Sequence, residues 1–191
     1  MKHLIIYAHP DQTSFNHDIK NAMVEKLHQA GDLVEVRDLY ALEFDPILTT
    51  ADLAASKTGQ IPADIATEQS FIAWADVVTF IYPIWWTGLP AIMKGYIDRV
   101  FMYGFAYQYV QGVQQGLLKG KKAIIINTQG KSHDEYRSTG MDKALQLTSD
   151  KGIFDYCGFE ILHHVFLASV LQASPTQRAT WLAEIAQMNL E

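Results

Sequence analysis

The feature that most constrains this chain is a set of short, continuous apolar runs, each of which ends in a polar or glycine-bearing loop. Leu4 to Ala8, Val77 to Tyr82, Ala123 to Ile126 and Ile161 to Leu167 are such runs, the last interrupted by His163 and His164, and Leu33 to Val36 is a weaker one. Runs of this length without polar alternation suit strands covered on both faces, as in a parallel sheet between two layers of helices. Between them, apolar residues recur at helical spacing. Ile19, Met23, Leu27 and Ala30 share one face, with Gly31 placed to end the helix, and Ala91 to Val100 reads as another helix. Ser174, Pro175 and Gln177 mark the start of the last helix, whose buried stripe is Leu182, Ile185 and Met188 or Ala186. The alternation predicts an α/β fold with a doubly wound parallel sheet. In such sheets ligands bind beyond the carboxyl ends of the strands, where the strand order reverses.

Several function classes fall away at this point. With 191 residues, 49% of them hydrophobic, the chain can bury one sizeable core, so residues 1–191 are expected to form a single domain. The formal net charge of −6 and the lack of a basic stripe argue against a nucleic-acid partner. A lone cysteine, Cys157, cannot pair internally; it reads as a small buried hydrophobe in a reducing, cytoplasmic setting. No stretch of about eighteen apolar residues offers a membrane span, and the opening MKHLIIYAHP is too short in its apolar part for an export signal. Adjacent His163 and His164 would face opposite sides of a strand, so no metal site is expected. The stretch from Phe44 to Ile65, with Pro46, Gly59 and Pro62, is the longest irregular candidate and is expected to cover part of a site.

The chemistry lies in the loops after the strands. After the first strand, His9, Thr13, Ser14, Phe15 and Asn16 open a helix. Hydroxyls, an amide and free helix N–H groups can receive a phosphate there, helped by the positive end of the helix dipole. Ser14 or Asn16 acting only as a helix cap explains the same residues. Neither G-x-G-x-x-G nor G-x-x-x-x-G-K-[ST] is present, so any nucleotide cofactor is of another kind. After the third strand come Pro83, Ile84, Trp85, Trp86, Thr87 and Gly88. Two adjacent tryptophans need an apolar partner, which a flat isoalloxazine ring would supply, as would the core or a subunit contact. Asn127, Thr128, Gln129 and Gly130 end the fourth strand, and Tyr103, Phe105, Tyr107 and Tyr109 alternate as an aromatic ladder expected on one side of an extended segment.

The runs His9-Pro10 to Asn16, Asp38-Leu39-Tyr40, Pro83 to Phe101, Phe105-Ala106-Tyr107-Gln108-Tyr109 and Cys157-Gly158-Phe159 closely resemble NAD(P)H:quinone oxidoreductases, in order and over nearly the whole chain. The resemblance implies a flavodoxin-like five-stranded sheet in the order 2-1-3-4-5 with helices on both faces. It also implies a homodimer with sites at the interface, bound flavin (FAD, with FMN in some bacterial members), and two-electron transfer. Carried over by residue, it places His9, Thr13, Ser14, Phe15 and Asn16 on the phosphate and ribityl portion, and Pro83, Ile84, Trp85, Trp86 and Thr87 along the ring. Asn127, Thr128, Gln129 and Gly130 would hold the ring's polar edge. Tyr107 and Tyr109 of a neighbouring subunit, with Tyr156 and Trp86, would line the acceptor pocket.

Tyr136 matches the family tyrosine that stabilises the reduced cofactor and is the candidate catalytic residue. Its histidine partner in the family is matched here by Asp142, which cannot be cationic; His133 is the substitute to consider. The family loop that reaches the adenine of FAD is shortened between Thr50 and Ile65. The implied reaction is ping-pong hydride transfer from NAD(P)H through flavin to a quinone-like acceptor. Two other readings stand beside it: a nitro- or azo-reductase, and a regulatory flavoprotein subunit of a potassium-efflux channel.

Overall fold

The computed structural model describes residues 1–190. In chain order the elements are β1 (Lys2–Tyr7), α1 (Phe15–Gln29), β2 (Leu33–Asp38), α2 (Thr50–Thr58), α3 (Ala63–Trp74), β3 (Val77–Pro83) and α4 (Ala91–Val100). There follow β4 (Tyr107–Val110), β5 (Val113–Gly116), β6 (Lys122–Thr128), α5 (His133–Thr139), α6 (Met141–Gln146), a wide-turned π-helix (Leu147–Asp155), β7 (Glu160–Leu167) and α7 (Pro175–Gln187). Five strands form one parallel sheet in the order β2-β1-β3-β6-β7, which is 2-1-3-4-5 once the separate β4-β5 hairpin is set aside. This is the flavodoxin-like order.

The continuous apolar runs are explained by two cores that share the sheet. On one face Ile5, Ile81 and Ile126 pack with Ile19, Met23 and Leu27 of α1 and Ile185 of α7. On the other, Ile6, Phe80 and Ile125 pack with Met93, Tyr96 and Phe154. Every residue of β3 is buried, as a central strand requires. Ser174 caps α7 by accepting the Gln177 N–H, with Pro175 in the first turn. No helix of the described residues is long and apolar enough to cross a membrane.

Two expectations are corrected. The segment Phe44 to Ile65 is irregular only in part: Thr49 and Asp52 form a reciprocal capping box that starts α2, and Gly59, at φ 74°, ends it, while α3 begins at Ala63. Arg99 of α4 then ties the segment down by ion pairs to Asp52 (3.1 Å) and Asp64 (2.9 Å) and a hydrogen bond to the Asp45 carbonyl (2.8 Å). The aromatic ladder is not one face either. Gly104, at φ 86°, turns the chain, so Phe105 packs toward the core, while Tyr103 and Tyr109 are exposed and only Tyr107 and Tyr109 share a strand.

At the opposite end of the sheet from the candidate site, His3 is fully buried, and among the described residues neither ring nitrogen has a hydrogen-bond partner; Nε2 lies 3.4 Å from Asp32. Burial holds its pKa below the ordinary value of 6.5, with Asp32 opposing. The unfolded chain therefore takes up this proton first as pH falls, so stability rises with pH through this window and is lost on acidification. Tm should drop as the solution is taken below about pH 6.5, and His3→Phe should flatten that slope; parallel Tm-pH curves would remove His3 as its source.

Candidate active site

The loops after β1, β3 and β6 converge because the parallel ladder continues past the strands. The Ala8 N–H donates to the Ile81 carbonyl (3.0 Å), the Ile84 N–H to Thr128 (2.7 Å) and the Gln129 N–H to Leu167 (2.9 Å). Beyond them opens a cavity of about 460 Å³, within the range of small-molecule sites. His9, Thr13, Ser14, Phe15, Asn16, Pro83, Ile84, Trp85, Thr128, Gln129 and Gly130 all line it, so most of the expected cofactor residues meet in one place.

Their hydrogen bonds divide them. Ser14 is the N-cap of α1 and accepts the His17 N–H (3.3 Å), so the capping role is real even though the residue also lines the cavity. The Thr13 hydroxyl donates to Asp11 (2.8 Å), whose carboxyl is held below the usual range by the Thr13 N–H and hydroxyl. His9 Nδ1 lies 3.1 Å from the Asp11 backbone nitrogen and 3.2 Å from the Asp11 carbonyl oxygen, which ties the ring to its own loop. The buried Asn16 donates through Nδ2 to Thr128 Oγ1 (2.8 Å), while its Oδ1 has no partner among the described residues.

The tryptophan loop is a two-residue turn closed by paired Trp85–Gly88 backbone hydrogen bonds, both 3.1 Å. Trp86 and Thr87 occupy it at φ 50° and 58°, a left-handed conformation that costs a non-glycine residue about 1–2 kcal/mol. The turn separates neighbours: Trp85 stays against the His9 ring (centroids 5.7 Å apart) on the cavity wall, whereas Trp86 projects fully exposed. Thr87 joins Tyr136 and Met141 around a shallow surface hollow.

Several expected residues lie outside the main cavity. Tyr136, on α5, shares a smaller one of about 170 Å³ with His133, Asp142, Gln146, Gln129 and Phe166. Both candidate partners of Tyr136 thus border the same space, and Asp142 Oδ1 is buried there with no partner among the described residues. Asn127 faces a third, water-sized cavity on the other side of the sheet. Tyr107, Tyr109 and Tyr156 form their own cluster, with the Tyr109 and Tyr156 hydroxyls 2.9 Å apart; hydrogen bonding to Tyr109, with burial, pushes the Tyr156 phenol up to about 12. None of the three lines the main cavity of its own chain. Cys157 is buried, which pushes its thiol up to about 12, and no cluster of metal-ligating residues occurs among the described residues.

A family defined by the flavodoxin-like fold matches residues 1–188. The uncharacterized NAD(P)H oxidoreductase of Haemophilus influenzae is 45% identical over 161 residues, covering 84% of this chain and 80% of the relative. NAD(P)H dehydrogenase (quinone) 1 of Cavia porcellus is 35% identical over 200 residues, covering 94% and 73%. Among solved structures, the NAD(P)H:quinone oxidoreductase of Methanothermobacter marburgensis superposes with a TM-score of 0.85 at 27% identity, covering 100% of this chain and 99% of that one. The chain belongs to the NAD(P)H:quinone oxidoreductase family. It is accordingly an oxidoreductase of the quinone-reductase type.

Within this quinone oxidoreductase fold, four residues of the main cavity escaped the sequence reading: Asp11, Val170, Leu171 and Arg178. Among the described residues Arg178 is the only arginine or lysine in the lining. It sits in the first turns of α7, its guanidinium 5.3 Å from the Phe15 ring centroid and its Nη2 donating to the Val170 carbonyl (3.1 Å). Nε is buried and has no partner among the described residues. For Val170 and Leu171 the signal is the strand-end rule applied to one further loop, the one between β7 and α7, and Arg178 follows in the first turn of the helix that this loop opens.

Proposed function

We propose that the main cavity binds a flavin, FAD or FMN, through which a hydride passes from NAD(P)H to a quinone-like acceptor. What carries the reading is a pair of complementary demands. Arg178 Nε is a buried donor and Asn16 Oδ1 a buried acceptor, each unpartnered among the described residues, on one cavity beside a helix start. Buried polar atoms of native proteins are nearly always satisfied. A phosphate answers the arginine and the free N–H groups of α1, and a ribityl hydroxyl answers the asparagine.

Each remaining group then has a task. Trp85 walls the ring, and Thr128, Gln129 and Gly130 meet its polar edge. Trp86, held out by the strained turn, and Tyr136 on the neighbouring hollow border the side where the acceptor enters, with Tyr136 holding a proton near it. Tyr109 and Val113 expose apolar surface on the hairpin; in a homodimer that surface is covered, and Tyr107 and Tyr109 reach the partner's pocket. When bound, the flavin supplies the two-electron chemistry; the chain supplies orientation and charge. One pocket serves NAD(P)H and acceptor in turn.

The α2 segment, clasped by Arg99, contributes nothing to the cavity of its own chain, so the cavity addresses the ring, ribityl and first phosphate that FAD and FMN share. Titration with each flavin separately, followed by visible absorption, tests the reading. The flavin band should appear, bleach on anaerobic NADPH and return with a quinone. Failure of both flavins to bind would overturn it, and recovery with an azo or nitro compound but no quinone would replace the acceptor.

A further inference from the structure

A hydrogen-bonded relay on the face of the sheet opposite α1 and α7 plays no part in the function proposed above. His164 on β7 points its Nδ1 at Asp150 Oδ1 of the π-helix (2.6 Å) and its Nε2 at Asn127 Oδ1 of β6 (2.8 Å). Asn127 Nδ2 in turn donates to the Tyr82 carbonyl of β3 (3.2 Å). The imidazole side chain is 5% exposed and stacks on Phe166 at 4.1 Å and 25°. The polar groups around the relay are Asp150, Ser149 and Thr148 from the π-helix, the Ser149 hydroxyl donating to Asp150 (2.8 Å), with Asn127 from β6 and Tyr82 from β3.

The donors and acceptors of this arrangement balance in one way. Asp150 and Asn127 both present oxygen to the ring, so a proton must lie in each of the two contacts. A neutral imidazole beside an ionised carboxylate has only one. The carboxylate 2.6 Å away holds that proton on Nδ1, because the other tautomer would set the Nδ1 lone pair against an anion, and the Nε2 lone pair then meets Asn127 Oδ1. Turning the amide end for end cures this clash, but Oδ1 then faces the Tyr82 carbonyl, which loses its donor. Proton occupancy and amide orientation are therefore a single variable. Burial lowers the His164 pKa and Asp150 opposes it, which puts the exchange on the acid side of 6.5.

The two ends of the relay are the roots of the cofactor loops. Tyr82 precedes Pro83 and Ile84, and Asn127 precedes Thr128, Gln129 and Gly130; all five of those followers line the main cavity. Ile84 also borders the water-sized cavity of about 20 Å³ that His164 and Asn127 enclose. We propose that His164 is a positioning residue: its proton sets the Asn127 amide, and the amide braces the ends of β3 and β6 against each other under the cofactor site. The relevant ligand is the ring end of a flavin, so the link to ligand rests on the function proposed above, whereas the coupling of proton to amide does not. With the proton the brace is complete. Without it the Tyr82 carbonyl is unpaired, and the loops it anchors hold a ring less firmly.

The test has two arms. In ¹⁵N-labelled protein without ligand, the His164 ring nitrogens, assigned by their loss in His164→Gln, and the Asn127 side-chain amide are followed across mildly acidic to neutral pH. Both nitrogens should be protonated at the acid end, and the Asn127 amide should shift with the same midpoint. An amide that stays put while His164 titrates, or a ring that never takes its second proton, overturns the proposal whatever binds in the cavity. In the second arm FMN and FAD affinities are measured by fluorescence quenching over the same range. Wild-type affinity should weaken about five-fold as pH rises through that midpoint, the value of one neutral hydrogen bond, and His164→Gln should show no such step. Flat wild-type affinity despite a coupled amide refutes the positioning role. No flavin binding at any pH refutes the proposed function and leaves the first arm to judge the relay.

Discussion

Gly95→Ala is expected to destabilise the protein by about 3 kcal/mol, near the top of the range for overpacking. Gly95 lies on α4 and is buried, and a Cβ built on it falls inside the backbone and ring of Pro46. A flexible side-chain end could step aside from such an intrusion. A proline backbone has no such freedom, and here it is pinned: the neighbouring Asp45 carbonyl accepts from Arg99, which also pairs with Asp52 and Asp64. Relief of the clash must therefore lift the start of α2 or shift α4. For a chain of this size about 3 kcal/mol lowers Tm by roughly 6–12 °C. Gly88→Ala is the control, because a Cβ there meets nothing within 4 Å and its φ is not left-handed. Equal melting of the two variants would show that α2 yields at little cost.

That close approach also shows why the α2 region was the weak part of the sequence reading. Pro46, Gly59 and Pro62 are turn residues, and their density masks a nine-residue helix. The capping pattern Thr49-x-x-Asp52 was in plain sight, but what makes so short a helix worthwhile is the buried Arg99 clasp from α4, a contact between residues 47 positions apart that no local pattern encodes. The five strands had no such dependence. Their runs are continuous because both faces are covered, so burial left its mark directly on the sequence. The site shows the same division. Loops at the ends of β1, β3 and β6 could be located from strand positions alone, and eleven of the expected residues line one cavity. The turn that sends Trp86 outward while Trp85 stays inward depends on two left-handed residues that are not glycine, which composition does not announce. His164 was read for what it could not do with His163, and its partners, 14 and 37 residues away, appear only once the sheet and the π-helix are assembled.

Arg178→Ala is expected to weaken FMN binding about thirty-fold, the value of a charge-assisted hydrogen bond of about 2 kcal/mol at a half-buried site. Its other contacts complicate the attribution, because the guanidinium also packs on Phe15 and donates to the Val170 carbonyl. Riboflavin separates the two roles, since it keeps the ring and ribityl chain and lacks the phosphate. If Arg178 meets the phosphate, the variant loses FMN affinity and keeps riboflavin affinity, and the salt dependence of FMN binding becomes shallower because the attraction between the guanidinium and a dianion is gone. Arg178→Lys should fall between wild type and alanine: it keeps the charge but not the planar donor set. If riboflavin and FMN weaken equally, Arg178 serves as a packing residue that supports Phe15, and the anion must be held by the α1 helix start alone. Its positive end and its free N–H groups would then have to be sufficient for that without a side-chain cation.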